Sequence, residues 1–408
     1  MSGQVTLQTI HVPRGAGYMP CAAPVRSPYT VSTRSTMSSQ NPRNAAKTDL
    51  SDCLSNVWEA IASFFKSLMN CFGLFSKPAE VLQNKIQERE LRLHKNDVQI
   101  RQSLNDQMAW CRRQMIDEPV KQFRIINSMV GLPAVQPEET RVGNYEVGIS
   151  HFIGYRDAME DEHLATSFDL VIGDRHYPVQ LFGIFDGHGG PLVARYMSDN
   201  LRRKLNETLS EFNRAALSEA GIWKALKMTF VRLNEDLKNL HGQVAISQGS
   251  TATVAMILDN KLWTANVGDS RTVLDNNGTA EQLSYDAKPE DPRIRRKIEN
   301  RGGQVIVNGI PRVNGDLGVG TAMGDLRLNG AVSARPTITC KPLAEIQAGS
   351  HLILACDGIY DVARTVDIVN ATHAHHNLSA GRLAEKIVYS AFHSRSTDNL
   401  SAMVIKIR

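Results

Sequence analysis

Aspartates stand where apolar runs of this sequence stop or start. Phe182-Gly183-Ile184-Phe185 runs into Asp186-Gly187-His188-Gly189-Gly190, and Leu352-Ile353-Leu354-Ala355-Cys356 runs into Asp357-Gly358. Leu262–Val267 leads to Gly268-Asp269, while Asp398-Asn399 comes just before Ser401–Ile407. An apolar strand that ends on a carboxylate delivers it to the rim of a sheet. The glycines that follow let the backbone turn sharply and come close to a bound ion. Tyr155-Arg156-Asp157-Ala158-Met159-Glu160-Asp161 adds a cation and further acids. Clustered carboxylates repel one another unless something positive sits between them. Hard divalent cations with oxygen ligands meet that need, and Mg²⁺ or Mn²⁺ suits such a set better than zinc. Two ions sharing an aspartate can lower the pKa of a water and clamp a phosphoryl group. Arg156 could hold phosphate oxygens through its planar fork, and His188 could give a proton to a leaving oxygen.

Taken singly, each motif has a plain reading. An Asp-Gly is usually a turn, and Asp398-Asn399 alone would be a loop. Arg156 could be a surface ion-pairing residue, Glu160 or Asp161 a turn cap, and His188 a structural histidine. The joint pattern carries the argument, because apolar strands lead into or out of the aspartates. His163, His351, His373, His375 and His376 read as surface or core histidines rather than ligands.

These residues need elements to position them. Val147–Tyr155, Gln180–Phe185, Leu352–Cys356 and Ser401–Ile407 read as strands, and if the last two run antiparallel, Asp357 and Asp398 share one rim. Thr251–Leu258 and Leu262–Val267 flank Asp259-Asn260-Lys261 and read as a hairpin. Trp223, Leu226, Phe230, Leu233, Leu237 and Leu240 mark a helix, and Ser379 can cap another that carries Leu383, Ile387 and Ala391. The pattern predicts an α+β architecture, a layered sandwich of mainly antiparallel sheets with helices.

The N-terminal third has a different texture. Residues 1–48 contain no Asp or Glu but several Arg, Ser, Thr and Pro, which reads as a disordered basic tail or a targeting segment. Leu54, Trp58, Ile61, Phe65, Leu68, Phe72 and Phe75 fall on one face of a helix. That stripe could pack on the protein, lie on a membrane surface or bind a protein partner; Glu59 and Lys66 argue against a transmembrane span. A charged helical stretch follows over 78–128, too irregular for a coiled coil. Gly131, Pro133 and Pro137 mark a linker over 131–145. The expected division is a tail at 1–50, a helical extension at 51–130, the linker, and a catalytic domain at 146–408. Residues 1–142 are expected to be dispensable for chemistry but not for location.

Lys+Arg number 46 and Asp+Glu 42, a net charge of +4, too small for a nucleic-acid binder that relies on counterion release. Six cysteines with no C-x-x-C pair fit neither a disulfide scaffold nor the usual zinc spacings, and point to a reducing compartment. A cytoplasmic location is expected; membrane association, organelle targeting or secretion as an effector are alternatives set by the N-terminal segment.

From about residue 145 to the end, the chain resembles the metal-dependent protein phosphatases, the type 2C serine/threonine phosphatases. The resemblance is carried in family order by Gly154-Tyr155-Arg156 with Met159-Glu160-Asp161, Asp186-Gly187-His188-Gly189-Gly190 and Gly249-Ser250-Thr251-Ala252. It continues through Ala265-Asn266-Val267-Gly268-Asp269-Ser270-Arg271, Gly302-Gly303, Ala322-Met323-Gly324-Asp325, Ala355-Cys356-Asp357-Gly358 with Asp361-Val362, and Asp398-Asn399. It implies a four-layer sandwich of two antiparallel sheets flanked by helices, with two Mn²⁺ or Mg²⁺ ions in a cleft between the sheets. By the same resemblance, Asp186 bridges both ions, the Gly187 carbonyl binds one, and Asp357 and Asp398 complete the other site. Glu160 and Asp161 match acids that act directly or through water. Arg156 matches the phosphate-binding arginine and His188 the general acid. Asp269 matches a ligand of a weaker third ion that shares Asp357. The implied activity is hydrolysis of phosphoserine and phosphothreonine in phosphoprotein substrates. Alternatives are a catalytically weak relative acting as a binding or scaffold module, and a phosphatase of small molecules. Gly320-Thr321 replaces the family's usual Ser-Arg, which puts packing or substrate contacts near Asp325 in question.

Overall fold

A computed structural model describes residues 76–126, 137–328 and 330–407. The basic tail and the apolar stripe of 54–75 lie outside the described residues. Apart from the start of the first helix, all that follows belongs to one compact unit, Val81–Arg408.

The strands, in chain order, are β1 (Glu138–Val142), β2 (Tyr145–Phe152), β3 (Glu162–Ile172), β4 (Arg175–Phe185), β5 (Gly187–His188), β6 (Gly249–Ser250), β7 (Ala252–Leu258) and β8 (Lys261–Val267), followed by β9 (Arg271–Asn276), β10 (Thr279–Gln282), β11 (Val305–Asn308), β12 (Ile310–Val313), β13 (Met323–Gly324), β14 (Thr337–Pro342), β15 (Ser350–Ala355) and β16 (Leu400–Ile407). The helices are α1 (Ser76–Ile116), α2 (Leu192–Phe212), α3 (Glu219–Ser247), α4 (Pro292–Glu299), α5 (Asp357–Tyr360), α6 (Thr365–Ala374) and α7 (Ala380–His393). A six-stranded sheet has the order β1-β2-β16-β15-β9-β10, and a five-stranded sheet the order β14-β8-β7-β4-β3. Every pairing within them is antiparallel. The expected class, α+β with antiparallel sheets and flanking helices, is the one observed.

The layers follow from the residue pattern. Val147, Ile149, Phe182, Ile184, Ala255, Val273 and Ile353 are buried in one cluster between the two sheets. Leu383, Ile387 and Val388 of α7 extend that cluster over the outer face of the six-stranded sheet. On the opposite side, Met197 and Leu201 of α2 and Phe230 and Leu233 of α3 cover Met256 and Trp263 of the five-stranded sheet. Each such side chain contributes roughly 1.5–3 kcal/mol on burial. The β7–β8 hairpin turns at Asp259 and Asn260, whose φ values of 52° and 55° give the two left-handed residues that a tight hairpin needs. Ser379 caps α7 by accepting from the Arg382 N–H.

The segment before β1 departs from expectation. Helix α1 ends at Ile116, and Pro119 explains why: the residue before a proline is pushed out of the helical region. Residues 118–126 then run without regular structure. Helix α1 does have a buried stripe, at Ile100, Leu104, Gln107 and Cys111, with spacings of 4, 3 and 4. The polar Gln107 breaks its apolar pattern. Gln107 Oε1 accepts from the Ile338 N–H at 2.6 Å and so caps part of the exposed edge of β14. The extension over 81–126 is therefore packed into the catalytic unit rather than appended to it. Residues 138–142, within the expected linker, form the edge strand β1, paired with β2 from Glu138↔Ile149 to Val142↔Tyr145.

Candidate active site

Strand ends bring the predicted carboxylates together. Residues 181–185 of β4 are fully buried, so the chain reaches the cleft only at Asp186. The Asp186 N–H donates to Thr251 Oγ1 at 3.2 Å, and the Thr251 N–H donates back to the Asp186 carbonyl at 2.9 Å. A Cβ at Gly187 would lie 2.3 Å from the Glu160 carbonyl oxygen, so only glycine lets these two backbones approach. Strands β15 and β16 are antiparallel, with Ala355 opposite Ala402. Asp357 just after one and Asp398 just before the other consequently share a rim. Asp269 follows β8, and Asp161 immediately precedes β3.

The electrostatics show how close these groups are. Burial, then the charges of Asp357, Asp161, Asp269 and Asp398, push the Asp186 carboxyl well above the usual range. Asp357 is raised in the same way by burial and by Asp269, Asp361 and Asp398. Burial and the charge of Asp398 push Asp161 up to about 6. Both carboxylate oxygens of Asp161 and Oδ1 of Asp269 are buried without a hydrogen-bond partner. Buried oxygens left unpaired cost several kcal/mol between them. A divalent cation supplies the missing partner and relieves the repulsion, so the residues present fit the implied ions. Ligand atoms of Asp161, Asp186 and Cys356 lie within 4.8 Å of one another. Burial raises the Cys356 thiol well above its ordinary value, and its sulfur accepts from the Ser401 N–H. Its S–H also donates to the Asn399 carbonyl at 3.4 Å, so backbone partners engage the thiol and the acids supply the oxygen ligands. Glu160 enters through its backbone, whose N–H donates to Asn399 Oδ1 at 2.9 Å and whose carbonyl faces Gly187.

Two predicted groups flank this set. Arg156 ion-pairs with Asp398 through Nη2 and donates from Nε to the Thr397 carbonyl, with 54% of its side chain exposed. His188 Nε2 lies 2.7 Å from Oδ2 of Asp325, a carboxylate sealed from solvent. Asp325 also receives Arg327 Nη1 at 3.1 Å. A Cβ at Gly249 would lie 2.3 Å from His188 Nε2 and 2.1 Å from Asp325 Oδ2, so glycine there makes room for the pair. The replacement at Gly320-Thr321 is absorbed locally. Thr321 Oγ1 accepts from the Gly268 N–H at 2.8 Å and steadies the turn before Asp269.

Sequence reasoning gave no role to several residues that the structure brings here. Lys288 Nζ lies 3.0 Å from Asp269 Oδ2 and 3.9 Å from Asp361 Oδ1. The charge of Asp269 holds that ammonium well above the ordinary lysine value. Arg271 is buried between Asp286 and Glu118 and stacks on the Tyr360 ring, 4.3 Å from its centroid. Tyr360 closes the short helix that Asp357 opens, so this network braces a site carboxylate from behind. Lys288 and Arg271 lie in polar stretches of sequence that look solvated, and nothing local marks their partners, which stand 15 to 153 residues away.

A family model described as Protein phosphatase 2C matches residues 145–400. A probable protein phosphatase 2C 55 from Oryza sativa subsp. japonica is 35% identical over 265 residues, covering 65% of this chain and 66% of that protein. A probable protein phosphatase 2C 76 from Arabidopsis thaliana is 31% identical over 308 residues, 72% of this chain and 69% of that protein. A solved phosphatase from a pathogenic strain of Toxoplasma gondii shares the fold, with a TM-score of 0.54 at 20% identity over 67% of this chain and 94% of that one.

Proposed function

The chain belongs to the protein phosphatase 2C family, and on that premise we propose that it is a metal-dependent serine/threonine protein phosphatase. The observation that carries the reading is the set Asp161, Asp186, Asp357 and Asp398, crowded together from the strand ends of both sheets, with both buried oxygens of Asp161 lacking a partner. Asp186, central among the acids, would bridge two ions with the Gly187 carbonyl beside it, and Asp357 and Asp398 would complete the second site. Such ions, Mg²⁺ or Mn²⁺ by the oxygen-only ligand set, supply an acidified water and screen the phosphoryl oxygens. Asp269, already partly neutralised by Lys288, offers a weaker third position shared with Asp357. Glu160 has its side chain free for the outer edge of the set.

The remaining steps fall to this chain's own side chains. Arg156 stands exposed beside Asp398, where its unused N–H groups can grip phosphate oxygens. His188 keeps Nε2–H on Asp325, and in its doubly protonated form the Nδ1 proton is the one it can give to the leaving oxygen. An alkoxide from serine or threonine needs that proton more than a phenoxide does, so the arrangement accelerates hydrolysis of phosphoserine and phosphothreonine more than that of aryl esters. The free thiols of Cys111, Cys340 and Cys356 support a reducing, cytoplasmic setting. The apolar stripe of 54–75 is our candidate contact for a membrane surface or a protein partner, supported by its sequence alone. The test is phosphate release from phosphoserine, phosphothreonine and phosphotyrosine peptides with Mn²⁺, with and without chelator. Activity that survives the chelator, or is confined to phosphotyrosine, overturns the proposal.

A further inference from the structure

We propose that Glu138, His151 and His163 form a second metal site, outside the cleft, for a divalent transition metal such as zinc. Side chains alternate along a strand, so His151 lies on the same face of β2 as Val147 and Ile149, both buried between the sheets. His163 of β3 stands opposite Ile184 of β4, which belongs to the same cluster. Two imidazoles thus occupy positions where the alternation calls for apolar side chains. Their rings stack with centroids 5.8 Å apart and 27° between planes. Glu138, the first residue of β1, brings Oε2 to 3.4 Å from His163 Nε2. One ligand atom from each of the three lies within 4.8 Å of the others.

A plain reading makes this a histidine stack with an ion pair at its edge. That reading leaves Nδ1 of His151 unexplained, since it is buried without a hydrogen-bond partner. A metal ion supplies that partner. Two imidazoles and one carboxylate, with a water in the fourth position, form a set that suits zinc, cobalt or nickel rather than Mg²⁺. The exposed Glu138 gives the ion its way in. The site also has a structural consequence. β1 and β2 belong to the six-stranded sheet and β3 to the five-stranded one, so one ion would tie the two sheets together. It would do so two residues from Asp161, at the strand end that carries this carboxylate to the cleft.

The test uses the full chain, stripped with chelator and then held in excess Mg²⁺ to occupy hard oxygen sites. Co²⁺ is titrated and read by visible absorption, and Zn²⁺ is added as competitor and in thermal melts. The wild type should show the intense bands of a four-coordinate nitrogen-ligated Co²⁺, lose them to Zn²⁺, and melt higher with Zn²⁺. Glu138→Gln and His163→Gln should each weaken Co²⁺ binding by at least about tenfold and lose the Zn²⁺-dependent rise in Tm. Glu138 is exposed, so its variant stays informative if the histidine variant folds poorly. No such bands in the wild type, or the same affinity and Tm shift in both variants, overturns the site and means an adventitious ion only.

Discussion

Glu118 and Arg271 form an ion pair sealed inside the protein: Oε1 lies 2.7 Å from Nη1, with 7% and 6% of their side chains exposed. Arg271 opens β9, two residues after Asp269, and its other face is held by Asp286 and Tyr360. Glu118 also accepts from the Thr365 N–H at 2.8 Å, and Lys121 donates to the Tyr360 carbonyl. A residue upstream of the first strand is thereby part of the scaffold that fixes Asp269 and Asp357.

The first prediction concerns this scaffold. Glu118→Ala leaves a buried guanidinium with one carboxylate fewer, which should cost about 3 kcal/mol, the lower end for a broken buried pair because Asp286 persists. A chain starting near Arg141 also loses Gln107, Cys111 and Gln114, and should unfold at a clearly lower urea concentration than the full chain. Residues 1–142 are expected to be dispensable for chemistry; the packing of 81–126 on the catalytic unit predicts in addition that this part is needed for stability. An unchanged urea midpoint for either protein would show that the segment only rests on the surface.

The second prediction follows from Asp161. Its folded value of about 6 lies above the roughly 3.9 of an unfolded aspartate. Between those values the folded chain holds more protons than the unfolded one, so without metal its stability falls as pH rises through this window. The loss is on the order of 2 kcal/mol for this one group. Chelator-treated Asp161→Asn should therefore show a flatter stability profile from pH 4 to 6 than chelator-treated wild type. Added Mn²⁺ should stabilise the wild type most above pH 6, because the ligands must be ionised. Parallel profiles for the two proteins would remove Asp161 from the set.

The rim of carboxylates was legible because each acid lies next to an apolar strand, a local signal. The β7–β8 hairpin was legible for the same reason, since Asp259-Asn260 tolerates the left-handed turn. What escaped reading depends on distant partners. Gln107 looks like a break in an apolar stripe until the Ile338 N–H appears opposite it. Glu118, next to a proline at a helix end, reads as a solvated acid until Arg271 is placed beside it. β1 hides among the breakers at 131–145 because an edge strand of five residues, four of them exposed, carries almost no apolar pattern. His163 read as an ordinary histidine, and only the register with Ile184 shows that it points between the sheets.

The third prediction separates His188 from Asp325. His188→Ala should lower kcat by roughly 10²–10⁴ on phosphoserine peptides and far less on an aryl phosphate, because only the alkoxide needs the proton. Asp325→Asn keeps the size of the side chain but removes the charge that holds Nε2. It should reproduce the same selective loss in milder form, with KM little changed. Equal losses on both substrate types would mean that the pair is structural.

The last prediction concerns Arg156, whose Nη2 pairs with Asp398. Two roles are compatible with that contact: gripping phosphate, or balancing the charge of Asp398. They differ in sign for metal binding. If Arg156 grips phosphate, Arg156→Ala removes a charge-assisted bond of about 1.5–3 kcal/mol and should raise KM by roughly ten- to a hundredfold. Asp398 then loses a competing cation, so Mn²⁺ should bind as tightly as before or more tightly. Arg156→Lys restores the charge without the fork and should recover only part of the loss. The measurements are KM on phosphopeptide and the Mn²⁺ concentration for half-maximal activity. Weaker Mn²⁺ activation together with an unchanged KM would assign Arg156 to holding Asp398 in place and leave phosphate binding to other groups.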